Sequence, residues 1–568
     1  VGLAVELHTP DARASILRFL DPPESRRWGA WETAALLLYC AVVGLGIHQH
    51  VPWVDESQAW MLAREVSLPT LLGHGLHYEG TPGLWHCLLK LFQLLHLSFT
   101  AARWIAGGIA ASGVAVLLAY APFPRMIRLL LPFSFFLAYQ DAVIARSYVL
   151  FAVFAFTAAA LLRSARPRPL RLAVVLGLMA NISLHALIAS LSLAIVAVGL
   201  WRHRLPKDSR RFAGLLLLAF FWAGAVTSMA PARDVDFSAG NNVWRSLAKV
   251  ANDLGIHTVA PPAITSLDMA GLPRAPLPVH VREAGARTWH KAARTLAVLT
   301  YPLSSYRWLA LLLVALVVAQ TWLRPAGSEA ASGMGPLALV PYLLMVAAFT
   351  SLYLEPRHAG MVFTVFVVSA WLGWPARPAN SGAKLVLQRL TAAAFALMLA
   401  LQLGWTGHAL WSEHRLGYSP DRETADYLKQ HLDQNSASPQ VAGFYYYSAG
   451  PLLYFNRNLY FNQPAHRYWS WSTAMRSEAT VQEILVQHPR FIIIGGDESG
   501  PDAEITRDWT PNTPPEPGVR LKDVFFVGDY FRHHGYHETH LFCGYSWMRA
   551  SYAERVCDSV LEPVRDKR

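Results

Sequence analysis

The chain has 568 residues, 53% of them hydrophobic and only 15% charged, with a mean hydropathy of +0.26. Soluble domains carry about a quarter charged residues, so a wholly soluble protein is excluded. The net charge of +11 and pI near 9.5 invite a nucleic-acid partner, but the basic residues fall between apolar blocks. They form no stripe interleaved with exposed aromatics, which excludes nucleic acid and suits the loops of a membrane protein.

In chain order, Arg13, Arg18, Arg26 and Arg27 precede an apolar run from Ala30 to Ile47 that lacks a small-residue cleavage site. Residues 1–29 are therefore expected to be a cytoplasmic segment before an uncleaved signal anchor. A spanning helix needs about 20 apolar residues. Candidate spans are 30–48, 101–121, 126–143, 146–163, 171–186, 187–201, 212–230, 306–323, 336–354, 358–374 and 385–406. The stretch 171–201 also reads as one broken helix, and about eleven spans are expected. If the N-terminus is inside, the inner connections hold Arg125 and Arg128, then Arg163, Arg166, Arg168 and Arg171, then WRHRLPKDSRR, then Arg377, Lys384 and Arg389. That bias orients the set. Residues 30–406 form a transmembrane domain, and three long segments lie outside: 49–100, 231–305 and 407–568. PGLWHCLLKLFQLLHL, inside the first, is short and reads as a juxtamembrane or re-entrant helix.

The tail from 407 reads as a small α/β domain. SPDRETADYLKQHL predicts a helix with Ser419 or Asp421 as N-cap. QVAGFYYY predicts a strand, LLYFNRNLYFNQ a helix-to-strand passage, and FIIIGG a buried strand. Cys543 and Cys557 lie where a disulfide is permitted, whereas Cys40 and Cys87 read as apolar filler. No Gly-rich phosphate loop, CxxC pair, HExxH helix or internal repeat occurs. The fold class expected is mainly α, a polytopic helical membrane domain followed by this α/β domain.

The first outer loop opens with VPWVDESQAWMLAREV. On spacing alone Asp55 is an N-cap with Gln58 as capping-box partner of an interfacial helix. The sharper reading makes Asp55 and Glu56 an acidic pair facing a lipid-borne substrate, with Asp55 as general base. The two are compatible, since a capping carboxylate has a second oxygen to offer. His74, His77 and Glu79 in GHGLHYEG, with Asp55, would supply ligands for a divalent metal, the one cofactor these residues admit; the plainer reading is polar loop residues. Asp141 in AYQDAVIARSY is a boundary carboxylate that would assist Asp55 or, on the plainer reading, form a structural ion pair with Arg146. Arg103 reads as an arginine reaching to headgroups.

An Asp-Glu pair in the first outer loop, followed by EGTPGLWHCLL, resembles the GT-C superfamily of glycosyltransferases. Protein O-mannosyltransferases and the aminoarabinose transferases of lipid A share this arrangement, often with Pro-Pro-Leu where this chain has Thr81-Pro82-Gly83-Leu84. ARSYVLFAVF at 145–154 looks like the Ala-Arg-x-Tyr that opens a span in these enzymes. His185 near the outer end of a span and EPRHAGMVF at 355–363 fit the pattern too, with Arg357-His358 where Arg-Tyr is common. The similarity runs through most of 30–406 at motif level and is weak over the tail.

What the resemblance implies is a GT-C fold and transfer of a sugar, with inversion, from a polyprenyl-phosphate donor. The acceptor is an unspecified glycan, lipid or protein at the extracytoplasmic face, and the location is the bacterial inner membrane. Such chemistry needs a base for the acceptor hydroxyl and cations for the leaving phosphate. Asp55 is the expected base, and Glu56 positions acceptor or sugar. Arg146, Tyr148, His185, Arg357, His358 and Glu79 are expected to bind donor phosphate or substrate. Arg146 and Arg357 stand out because they break the positive-inside pattern. Two other readings stay open: a transporter or flippase of lipid-linked sugars, which would more readily show internal repeats, and a glycan ligase or polymerase with a lipid-linked donor. The proline-rich loop 231–305 is expected to cover the site's mouth.

Overall fold

The computed structural model describes residues 28–164, 166–201, 209–235, 295, 298–300, 307–322, 334–351, 358–375, 382–433, 440–472, 481–497, 531–546 and 554–564. Among these, five helices are long and apolar enough to cross a membrane, beginning at Ala30, Phe99, Leu184, Arg210 and Gly382. Five shorter apolar helices accompany them: Val149–Leu162, Pro169–Ala180, Arg307–Trp322, Gly335–Thr350 and Ala359–Gly373. Ala359–Gly373 is buried at every position, as a helix apolar on all sides must be when others surround it.

The expected span 126–143 is not one helix. A helical turn Arg125–Leu130 gives way to a 3-10 turn Leu131–Phe133 and a π turn Phe136–Gln140. Pro132 supplies the break, having no N–H to donate. Irregular turns then lead to Val149. The stretch 171–201 resolves into Pro169–Ala180 and Leu184–Trp201. Between them Asn181 donates Nδ2 to the carbonyls of Gly177 and Phe221. The last long helix, Gly382–Leu416, runs for 35 residues, about 50 Å at 1.5 Å per residue. It exceeds the hydrocarbon thickness, and the expected boundary at 406 falls inside it.

At the ends of the bundle expected to face inward, arginines satisfy helix termini. Arg128 pairs with buried Glu32 at 3.1 Å and donates to the Leu118 carbonyl. Arg163 donates to the carbonyls of Trp371 and Trp374, both at 2.7 Å.

The tail carries a four-stranded sheet, β1 (Val441–Phe444), β2 (Phe491–Asp497), β3 (Tyr536–Ser546) and β4 (Glu554–Pro563), in the order β1-β2-β4-β3. β1 and β2 run parallel, as two strands of an α/β unit do, and the other pairs are antiparallel. The helix Asp421–His431 begins after Pro420, with Ser419 Oγ accepting from the Asp421 N–H. The passage LLYFNRNLYFNQ differs from expectation. Tyr446–Tyr454 is a 3-10 segment, with Pro451 inside it, and Tyr460 makes only an isolated bridge to Val441. Cys543 and Cys557 face each other across β3 and β4, Cα to Cα 4.1 Å, and are bridged. Cys40 and Cys87 are free.

Candidate active site

The helix Val54–Glu65 starts after Trp53, which places Asp55 and Glu56 second and third in it. Glu56 Oε2 accepts from the Trp53 N–H at 3.3 Å, the back half of a capping box. The capping duty expected of Asp55 therefore belongs to Glu56, and Asp55 is released for other partners. Gln58, expected to share the cap, instead donates Nε2 to Glu79 Oε1 at 2.8 Å and to the Trp469 carbonyl at 3.0 Å, while accepting from the Trp469 N–H at 2.7 Å.

Asp55 is held from two sides. Its Oδ2 lies 2.5 Å from Arg146 Nη1, and its Oδ1 accepts from the Tyr446 hydroxyl at 2.7 Å. Burial, then the Asp55 charge, push the Tyr446 phenol well above its ordinary range, so it stays a donor. The Arg146 guanidinium lies 5.2 Å from the Tyr148 ring centroid and 5.9 Å from that of Trp53, close enough for cation–π attraction.

Glu56 is fully buried and its oxygens are engaged. Oε1 accepts from the Ala145 N–H at 2.8 Å, and Oε2 meets His50 Nε2 at 2.7 Å. Burial alone would raise this carboxyl, but His50, Arg103 and the Ala145 N–H hold it below the ordinary range. Glu56 thereby fixes the backbone immediately before Arg146. His50 in turn meets Glu413 Oε1 through Nδ1 at 2.8 Å, and the Tyr139 hydroxyl donates to the same oxygen at 2.6 Å. Burial opposes the imidazolium, but two carboxylates outweigh it and raise His50 to about 9.

Glu79, half-buried, completes the acidic side. Burial pushes its carboxyl up to about 7; Gln58 and Arg146 pull it down, and Asp55 adds to the rise. Gly80, with φ of 63°, ends the short helix carrying it in a left-handed conformation that glycine adopts at little cost. His74 and His77 do not join Glu79 at a common point. His77 Nδ1 lies 2.6 Å from the Ala230 carbonyl, and His74 packs edge-on to Tyr78. Among the described residues no group of three or more His, Cys, Asp or Glu is placed to hold a metal ion.

Beyond Arg146, the side chains form a continuous aromatic path. Tyr148 packs edge-on to His358 at 5.8 Å, His358 lies 4.4 Å from the His185 ring, and His185 stacks on Phe349 at 4.3 Å. Asp141 is buried beside Gly360. A Cβ on Gly360 would stand 2.6 Å from Asp141 Oδ2, so only glycine admits the carboxylate there. Neither Asp141 oxygen has a hydrogen-bond partner among the described residues. The ion pair expected between Asp141 and Arg146 is not formed, because Arg146 pairs with Asp55. Arg357 and most of the loop 231–305 lie outside the described residues.

The tail closes the other side. Tyr446 lies 4.8 Å from the Trp471 ring and 6.4 Å from that of Trp469, all three half-buried. Arg467 bonds to Glu65 and to the Phe455 carbonyl, and Ser472 to Asp234, which also accepts from the Tyr78 hydroxyl. Sequence reasoning passed over Tyr446, Trp469 and Trp471, because nothing local to the tail marks them, and gave Gln58 only a capping role. It also passed over His86, buried with neither ring nitrogen partnered among the described residues. Burial, then the Arg146 charge, lower His86 to about 4.

No protein-family model and no curated protein matches the chain. Among solved structures, it is similar to the cryo-EM structure of the arabinofuranosyltransferase AftD from Mycobacteria, with a TM-score of 0.32 and 11% identity over 96% of this chain and 41% of that one. A mutant of the same protein gives a TM-score of 0.36 and 12% identity over 96% and 42%. The chain thus spans about two-fifths of the length of the protein it resembles.

Proposed function

We propose that this chain is a membrane glycosyltransferase of GT-C type, moving a sugar from a polyprenyl-phosphate donor to an acceptor hydroxyl at the extracytoplasmic face. One observation carries the reading: Asp55, Arg146, Tyr148, Glu79, His185 and His358, drawn from four separate stretches of sequence, converge at one end of the bundle beneath the tail. A transporter path would need polar groups at mid-membrane, whereas these gather at helix ends.

In this reading the donor phosphate takes over the Arg146 guanidinium, a planar fork suited to phosphate oxygens. Asp55 is then free to accept the proton of the acceptor hydroxyl. The hydroxyl oxygen bonds to the anomeric carbon as the bond from that carbon to the phosphate oxygen breaks, and the electron pair leaves with the phosphate. Tyr446 orients Asp55, and Glu56 is a positioning residue that sets the Arg146 backbone. Arg357, beside His358 in the chain, is assigned to the same phosphate.

The test is release of polyprenyl phosphate by the purified full-length protein in proteoliposomes, from a panel of radiolabelled polyprenyl-phosphate hexoses and pentoses with membrane extract as acceptor source. Protein-dependent release from at least one donor is expected. No release above protein-free vesicles from any donor would remove the reading.

A further inference from the structure

A cavity of about 680 Å³ opens on the far side of the Val54–Glu65 helix. Trp60 and Arg64 line it, five and nine residues beyond Asp55. At about 100° per residue they stand roughly 140° and 180° around the helix from Asp55. The cavity is therefore separate from the transfer site.

Its walls carry four fixed cations from three parts of the chain: Arg64 and Lys90 from the first outer loop, Arg103 from the helix Phe99–Tyr120, and Arg422 from the tail. Among the described residues, none has a carboxylate within 4.0 Å and no carboxylate lines the cavity. The Arg103 charge is already answered by buried Glu56 and Glu413, but Arg64, Lys90 and Arg422 gather around the same space, and an anion placed among them removes the cost of their repulsion. Arg103 is buried. It donates Nη2 to the carbonyls of Ile47 and His50, at 2.8 and 2.9 Å, capping the first long helix, while its Nε finds no partner among the described residues. Its expected role as a headgroup-seeking arginine gives way to this interior one.

The first turn of the helix Phe99–Tyr120 also faces the cavity, adding the positive end of a helix dipole. Trp60 and Phe99, with ring centroids 5.2 Å apart, supply an apolar wall. On the adjoining helix Leu84–Leu94, Leu91 and Leu94 are exposed, and Leu95 follows them, as suits a surface meeting acyl chains.

We infer that this cavity binds the phosphate ester of an amphiphile, an anionic headgroup drawn from the membrane surface, separate from the sugar donor's phosphate. Phosphate chemistry satisfies Arg64, Lys90 and Arg422, and the apolar wall takes the first carbons of the lipid. The inference stands on the cavity alone and does not rest on the proposed transfer activity.

The experiment uses the full-length protein in non-ionic detergent without any sugar donor, so that the two readings fail separately. Binding of radiolabelled dioleoyl phosphatidylglycerol is compared with that of dioleoyl phosphatidylcholine. Saturable binding of the anionic lipid is expected, weakened about twentyfold in Lys90→Gln/Arg422→Gln, since each basic residue near such a headgroup contributes roughly a factor of five. The charge-conserving Lys90→Arg/Arg422→Lys variant should retain it. Excess inorganic phosphate separates the sources: no displacement identifies a lipid headgroup, and displacement identifies the phosphate group itself as the ligand. Equal binding of the two lipids by the wild type, or binding within twofold in the folded Gln variant, would overturn the inference. Should the Gln variant fail to fold, the wild-type comparison decides.

Discussion

At the scale of single residues, the candidate site depends on which carboxylate does which task. Asp55 and Glu56 are neighbours in sequence and opposites in environment: Glu56 is sealed among His50, Ala145 and Trp53, while Asp55 meets Arg146 and Tyr446. Sequence pattern identified the pair but gave the capping role to the wrong member, because a cap is decided by where the helix begins. The Ala-Arg-x-Tyr stretch was legible as a local motif. Tyr446 was not, since it lies 391 residues from the carboxylate it touches. Glu79 yields a pH prediction. Its folded carboxyl holds a proton to about pH 7, while the unfolded chain releases it near 4.5. The folded state thus binds the extra proton between those values, and stability falls as pH rises through that window. Glu79→Gln removes this cost and keeps an acceptor for Gln58. Thermal unfolding should show the variant more stable than the wild type at pH 8.5, by about 2 kcal/mol after discounting for partial exposure, and equal to it near pH 4.5. A wild type more stable at pH 8.5 would show that the charged carboxylate is welcome there.

At the scale of elements, the bundle is joined above its apolar core by a buried polar knot. His50, at the end of the first long helix, bridges Glu56 of the first outer loop and Glu413 of the last long helix. Its pKa is raised to about 9, so its contribution to stability is complete below about 6.5 and is lost as pH rises through 9. His50→Phe leaves two buried carboxylates without their cation and should cost on the order of 3 kcal/mol. Melting curves between pH 5 and 9 check this. The loss should be greatest below about pH 6.5, where the imidazolium's contribution is complete, and shrink as pH rises toward 9; a loss independent of pH would point to packing instead. Apolar blocks made the helices legible, and short continuous apolar runs made β1 and β2 legible. β3 escaped because YHETHLFCGYS is mostly exposed at its polar positions, leaving no continuous apolar signal. The break at 125–148 was masked by an apolar composition that a helix and a broken helix share.

At the scale of the whole molecule, the chain is a helical bundle whose tail folds back on the first outer loop, through Arg467 with Glu65, Trp469 with Gln58, and Tyr446 with Asp55. That docking was not legible in the sequence, because each contact pairs residues about 400 positions apart. It requires the tail and the Asp55 loop to share one side of the membrane. An enzyme reporter fused after residue 418 should be active only outside the cytoplasm; activity confined to the cytoplasm would place the whole site on the inner face. The central claim, that Asp55 is the base of a sugar transfer, is tested most directly by Asp55→Asn in proteoliposomes with a donor the wild type turns over. Asn keeps the size and one acceptor oxygen for Tyr446, and the cap belongs to Glu56, so the fold should be retained, at a melting temperature lowered by loss of the Arg146 ion pair. The account predicts that release of polyprenyl phosphate falls by about 10³-fold or more, as expected when a general base is lost from an otherwise intact site. Release within a few fold of the wild type, from equally folded protein, would contradict it.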